Sequence, residues 1–148
     1  MWTWKGTPLF LAAVTYLCVG TTAYYNERYQ TFLSQHHDNP KTKIENAEYC
    51  AVLMNYRSVF QSCKPFNIFI HASEVQLQDV CGAGGYPYHG TGKRQSRTYY
   101  PITICRLGVM TRSRQCVYYA AFSTRRLVLS CDENRLPVQL DEVLTMSG

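Results

Sequence analysis

The stretch Cys63–His71, which reads CKPFNIFIH, decides how the rest of the chain is interpreted. After its proline it is dominated by aromatic and β-branched residues, which favour an extended strand. Side chains two residues apart share a face of a strand, so Lys64, Phe66 and Ile68 are expected on one side. The stretch therefore predicts a strand that opens with a lysine and carries Ile68 on the lysine's face.

The segment before this strand has the apolar spacing of two helices. The first helix carries one stripe, formed by Tyr25, Tyr29, Phe32, Leu33 and His36. His36 is therefore expected to face the body of the protein and His37 to face elsewhere, and the DNP sequence at Asp38–Pro40 is expected to end the helix. The second helix is predicted over residues 45–57. Its predicted inward-facing residues are Ala47, Cys50, Ala51, Met54 and Tyr56.

Strands dominate the chain after this point. ASEVQLQDVC predicts a short helix that is capped by Ser73 and ends at Cys81, and the glycine-rich residues 82–96 predict a loop. Further strands are predicted from TYYPITICRL, QCVYYAAFS, RLVLSCD and RLPVQLDEVL. In the last of these, alternation places Gln139 and Asp141 on one face. Because helices come first and strands cluster later, the predicted class is α+β with an antiparallel sheet.

The first residues have the pattern of a secretory signal peptide. Lys5 precedes the apolar run PLFLAAVTYLCVG, and small residues follow at Thr21–Ala23. The run is short for a membrane span, although an uncleaved anchor is the alternative. We expect residues 1–23 to be removed, leaving one secreted, extracellular domain over residues 24–148.

The seven cysteines indicate a disulfide framework. Cys18 falls in the predicted signal peptide, and an even set remains: Cys50, Cys63, Cys81, Cys105, Cys116 and Cys131. In a short secreted chain this predicts three disulfides, for which about 15 pairings are possible. No C-x-x-C pair occurs, so a structural zinc site is not expected, nor is any other metal or cofactor.

Positive charge is concentrated between Cys81 and Cys131 in a chain of formal net charge +5 at pH 7. That segment has no acidic residue and contains Lys93, Arg94, Arg97, Arg106, Arg112, Arg114, Arg125 and Arg126. Such a segment indicates a polyanionic partner such as nucleic acid, anionic lipid or sulfated sugar, and a merely solvated surface is the alternative.

Three motifs, in chain order, resemble those of the pancreatic ribonuclease superfamily. FLSQHHD is similar to that family's first-helix motif, CKPFNIFIH to its lysine-bearing signature, and CDENRLPVQLD to its terminal strand. The resemblance spans about Tyr24 to Glu142, and the six-cysteine set and the VCGAGGYPYHG segment resemble the angiogenin-like branch that includes fish members. It implies a bent, two-lobed antiparallel sheet with three helices and an RNA cleft between the lobes. The disulfides that it implies are Cys50–Cys105, Cys63–Cys116 and Cys81–Cys131.

Cleavage of RNA at a 2′-hydroxyl needs a base, a cation at the phosphate and an acid for the departing 5′-oxygen. The resemblance assigns the base to His36 and the cation to Lys64, and Gln139 occupies the position of the acid. A neutral amide does not give up a proton near neutral pH, so very weak cleavage is predicted. The alternative is an active endoribonuclease in which His37, His89 or water is the acid.

The resemblance also assigns contacts to phosphate or RNA. These positions are Gln35, Lys64, Asn67, Ile68 and Asp141. Ile68 replaces a threonine whose hydroxyl reads the pyrimidine base in the family, so that means of base selection is lost. Asp141 matches the carboxylate that orients the missing histidine and is available to hold the Gln139 amide. His71 matches a histidine regarded as structural and is expected to be partly buried with its hydrogen bonds satisfied.

These observations predict a secreted, cationic, monomeric protein that binds RNA or another polyanion and acts in host defence or in angiogenin-like signalling. An anionic bacterial surface and a cell-surface receptor are further possible partners. The alternatives are a growth factor with a vestigial RNA cleft and a basic surface that disrupts membranes by charge alone. The arginine cluster of angiogenin-like second helices is reduced here to Arg57, which argues against nuclear import by that route.

Overall fold

The computed structural model describes residues 26–57, 63–110 and 116–145. The predicted signal peptide, Arg112, Arg114 and the last three residues lie outside the described residues. The elements in chain order are α1 (Glu27–His36), α2 (Asn46–Tyr56), β1 (Phe66–Ile70), α3 (Glu74–Val80), β2 (Gly85–Tyr88), β3 (Lys93–Ser96), β4 (Tyr100–Met110), β5 (Cys116–Cys131) and β6 (Pro137–Leu144). The predicted α+β class is confirmed.

The helices begin where side chains can satisfy their free N–H groups. The Asn26 side chain accepts a hydrogen bond from the Tyr29 N–H at the start of α1. Ser73 caps α3 as predicted, and its hydroxyl and the Gln76 side chain form a reciprocal capping box. None of the helices in the described residues is long and apolar enough to span a membrane.

The strands form a six-stranded antiparallel sheet in the order β1-β4-β5-β3-β2, with β6 paired to β5. The long strand β5 connects its two halves, because its first part pairs with β4 and its second part pairs with β3 and β6. The prediction of two separate strands here was wrong. The STRR sequence that joins them lacks glycine or proline, so the chain continues without a turn.

The glycine-rich residues 82–96, predicted as a loop, contain the hairpin of β2 and β3. Its turn has His89 and Gly90 at positive φ. Arg94 stabilises the base of the hairpin by donating to the carbonyls of Gly82 and Gly85, at 2.6 and 2.8 Å. Gly85 is required by space, since a Cβ there would lie 2.0 Å from the Val80 carbonyl oxygen. These contacts join residues that are separated in sequence. Local composition does not reveal such contacts, and it therefore indicated a loop.

Two apolar cores lie on the sheet. Phe32, Leu77, Ile102 and Leu127 are central to the core between α1, α3 and the strands. In the second core α2 packs its large side chains inward, and these are Tyr49, Leu53 and Met54, beside Cys50. The prediction that Ala47, Ala51 and Tyr56 face inward was wrong, since all three are exposed. Burying tyrosine and leucine removes more apolar area from water than burying alanine does, so the helix is rotated toward them.

The three disulfides pair as the family resemblance implied. Cys50–Cys105 joins α2 to β4, Cys63–Cys116 joins the segment before β1 to the start of β5, and Cys81–Cys131 joins the end of α3 to the end of β5. Each bridge therefore ties a residue outside the sheet to strand β4 or β5.

Candidate active site

A cleft of about 610 Å³ opens where α1, β1, β4 and β6 meet. Its polar lining includes Gln35, His36, Lys64, Arg106, Arg125 and Gln139. The fold thus brings together the three positions that the family resemblance assigned to catalysis. His36 and Gln139 are more than a hundred residues apart in sequence, and the pairing of β6 with β5 places Gln139 in this cleft.

His36 is the last residue of α1, and its ring is held by the neighbouring strand. Its Nδ1 lies 2.8 Å from the Ile68 carbonyl oxygen. A carbonyl oxygen only accepts, so Nδ1 carries the proton and Nε2 is left as the acceptor. Burial lowers the pKa of His36 to about 4. The positive charge of Lys64 also lowers this pKa, whereas the hydrogen bond to the Ile68 carbonyl raises it. The imidazole is therefore neutral at physiological pH and able to take up a proton.

Lys64 is held at the same wall of the cleft by a buried asparagine. Its Nζ donates to the Asn67 Oδ1 at 3.2 Å, and the Asn67 Nδ2 donates to the Gln35 carbonyl at 2.9 Å. Asn67 is only 1% exposed, so this amide is a fixed connection between α1 and β1. The Tyr118 hydroxyl donates to the Lys64 carbonyl at 2.7 Å. Burial lowers the pKa of the Lys64 ammonium.

Gln139 lies on β6, opposite Ser130 of β5. Its side chain is exposed, and within the described residues it makes no hydrogen bond. The amide thus projects into the cleft without a partner that would fix its orientation. The site has the His36 imidazole and the Lys64 ammonium on the α1–β1 side. On the β6 side the uncharged Gln139 amide stands with the carboxylates of Asp141 and Glu142.

Asp141 does not hold the Gln139 amide, so that expectation was wrong. Its Oδ2 accepts from the Ser130 hydroxyl at 2.6 Å, and its Oδ1 lies 3.5 Å from the Lys93 Nζ. The cause is a shift in register between β5 and β6, where Val128 opposes Glu142 but Leu129 opposes Leu140. Asp141 is the extra residue at this irregularity, and such a residue is displaced from simple alternation.

Part of the cleft lining is aliphatic. Ile68 of β1 opposes Ile104 of β4, and the two are 6% and 7% exposed. Leu140 and Val143 of β6 pack against the same core and also line the cleft. Sequence reasoning identified Ile68 but missed the other three. The alternation of residues along β4 can be read from the sequence, but the register that sets Ile104 beside Ile68 cannot.

The other three histidines are engaged elsewhere in the described part of the chain, which includes all four. The His37 Nε2 donates to the Ala72 carbonyl. His71 contacts the Asp38 carbonyl and the Thr103 hydroxyl, both at 2.7 Å, as expected for a partly buried structural residue. His89 lies in the β2–β3 turn beside Tyr88. None of them lines the cleft.

The described basic residues do not form one uniform surface. Arg94 and Arg97 bind backbone carbonyls near the hairpin, Arg126 lies over the Tyr99 ring, and Lys93 pairs with Asp141. Arg106 and Arg125 line the cleft. Among the described residues, no group of three or more histidine, cysteine or acidic side chains is placed to hold a metal ion.

Comparison with known proteins agrees with this architecture. Residues 27–141 match the pancreatic ribonuclease family. Angiogenin from Saguinus oedipus is 40% identical over 123 residues, or 82% of each chain. The crystal structure of green turtle egg white ribonuclease matches with a TM-score of 0.73 at 36% identity, covering 80% of this chain and 100% of that one. The X-ray structure of zebrafish RNase5 matches with a TM-score of 0.66 at 33% identity, covering 78% and 93%. The chain therefore belongs to the pancreatic ribonuclease family, as an angiogenin-like member.

Proposed function

We propose that this protein is a secreted, cationic ribonuclease-family member that binds RNA or another polyanion and cleaves RNA very weakly. The observation that carries the proposal is Gln139, an amide in the cleft position where the reaction requires an acid. The family membership and the cleft that unites His36, Lys64 and Gln139 support the RNA-binding part.

The first half of the reaction has the groups it requires. The free Nε2 of a neutral His36 would accept the 2′-hydroxyl proton as the oxygen attacks phosphorus. The Lys64 ammonium would stabilise the charge that develops on the non-bridging oxygens. The low proton affinity of this imidazole makes it a weak base, which further limits the rate.

The second half lacks its donor. As the bond from phosphorus to the 5′-oxygen breaks, that oxygen must gain a proton, and the Gln139 amide does not supply one. Water remains as the source. Losing one general acid typically lowers the rate by about 10²- to 10⁴-fold. The protein is thus expected to retain RNA far better than it cleaves it.

Secretion is part of the proposal, and two features support it. The N-terminal sequence has the pattern of a signal peptide, and three disulfides persist best in an oxidising compartment. A role in host defence or in angiogenin-like signalling agrees with the net positive charge and with the similarity to angiogenins.

A titrated tRNA digestion with the purified protein tests the enzymatic part, with His36→Ala as the control for contaminating nuclease. We expect binding at low salt with cleavage at least about a hundredfold below that of a relative with an intact His–Lys–His site. Robust cleavage that His36→Ala abolishes would instead establish an active endoribonuclease. Failure to bind either RNA or heparin would refute the polyanion-binding part.

A further inference from the structure

A row of three exposed side chains continues the sheet face that forms the cleft floor. The register sets Phe66 of β1 opposite Arg106 of β4, and Arg106 opposite Tyr119 of β5. Directly opposed residues of antiparallel strands lie on the same face, with their Cβ atoms about 4.5–5.5 Å apart. Phe66 is 53% exposed and Tyr119 is 60% exposed, so an exposed aromatic residue neighbours Arg106 on each adjacent strand.

The Tyr119 ring lies close against Gly108 of the neighbouring strand. A Cβ on Gly108 of β4 would lie 1.9 Å from Cε2 and 2.5 Å from Cδ2 of Tyr119. The ring therefore occupies the space in which any other residue at position 108 would place its side chain. Gly108 is not at positive φ, so the requirement is for space rather than for backbone conformation. The result is an aromatic ring that lies against the sheet and is still open to solvent.

The arginine between the two rings is available for an anion. The ion pairs within the described residues join Arg57 and His71 to Asp38, and Lys93 to Asp141, so Arg106 takes part in none of them. Phe66 and Arg106 also line the cleft, which makes the row continuous with it.

We propose that Phe66, Arg106 and Tyr119 form a stacking platform for single-stranded RNA that extends beyond the cleft. This inference rests on the proposed RNA-binding function and names a second contact region for the same strand. Bases stack on the two rings, and the phosphate between them meets Arg106. Aromatic side chains interleaved with positive charge bind single strands with little base selectivity, because every base has a π face.

Equilibrium titrations with two uncleavable probes test the platform. One is a uridine monophosphate, which fills only the cleft, and the other is a 2′-O-methyl RNA hexamer, which is long enough to reach Tyr119. We expect Tyr119→Ala to weaken hexamer binding by about 5- to 150-fold and to leave mononucleotide binding unchanged. Gly108→Ala should weaken the hexamer through displacement of the ring, and should have no further effect in the Tyr119→Ala background. Tyr56→Ala is the matched control, since Tyr56 is 79% exposed on α2 and does not line the cleft.

The salt dependence provides a second readout. Tyr119→Ala should leave the slope of log K against log salt unchanged because no phosphate contact is lost, whereas Arg106→Ala should reduce it by about 0.7. If Tyr119→Ala and Tyr56→Ala behave alike while the wild type binds both probes, the platform is refuted and the cleft function stands. If the wild type binds neither probe, the proposed function fails. If Tyr119→Ala abolishes binding to ribonuclease-treated cells and leaves RNA affinity intact, this face is a protein-docking surface and the inference is overturned.

Discussion

The substitution Gln139→His should restore the missing acid. Residue 139 lies in the cleft that also contains the proposed base and the proposed cation, and its side chain is exposed and without a hydrogen bond among the described residues. An imidazole should therefore fit there with little rearrangement. Since the proposed mechanism lacks only a general acid, the rate of RNA cleavage should rise.

The size of the gain depends on Asp141. A fully functional general acid contributes about 10²- to 10⁴-fold. In this protein Asp141 binds Ser130 and Lys93, so it is not free to orient an imidazole at position 139. We therefore expect a gain at or below the lower bound of that range, an increase of about 10- to 100-fold in kcat/KM.

The assay is continuous cleavage of a fluorogenic RNA substrate as a function of pH, with Gln139→Asn as the matched control. The wild type should show a single limb, in which activity rises with pH as His36 loses its proton. The histidine variant should add a second limb, in which activity falls as the introduced imidazole loses its proton near its ordinary pKa of about 6.5. Equal rates for the histidine and asparagine variants, with no second limb, would refute the missing-acid explanation.

Because the pKa of His36 is lowered to about 4 in the folded protein, the unfolded chain binds more protons between about pH 6.5 and pH 4. The free energy of unfolding should thus fall by roughly 3 kcal/mol as the pH drops through this window. In urea unfolding, the His36→Gln variant should not show this fall. Asn67→Leu should cost about 1–3 kcal/mol in urea unfolding, because it leaves a main-chain carbonyl of α1 without its donor, and it should weaken RNA binding by releasing Lys64; unchanged values for both would contradict this role. Replacing both Cys81 and Cys131 with alanine should cost about 4 kcal/mol, given their sequence separation of 50, whereas a loss below 1 kcal/mol would show that packing alone holds α3 against β5.

Much of the architecture was predictable because it is encoded locally. The helix that ends at His36, the cap at Ser73 and the strand that follows Lys64 depend on neighbouring residues, and the structure confirms all three. The disulfide pairing was different in kind, since cysteine spacing left it open and only the resemblance to a family chose among the alternatives. Gln139 was recognisable in the same way, as a substitution within a motif.

The parts that local patterns could not predict depend on how distant strands are aligned. Asp141 binds Ser130 and Lys93 because the register of β5 and β6 shifts beside it, and no alternation within β6 encodes that shift. Burial of Tyr49 in place of Ala51 follows from the shape of the surface that α2 covers.

The fold class, the helix cap and the glutamine at the position that the family resemblance assigns to the acid could therefore be read from the chain alone. The residues that lie beside that glutamine, and the row formed by Phe66, Arg106 and Tyr119, became visible only in the folded protein. This is because a strand's own periodicity assigns each residue to one of two faces, while its neighbours across the sheet are set by hydrogen-bond register between segments far apart in the chain.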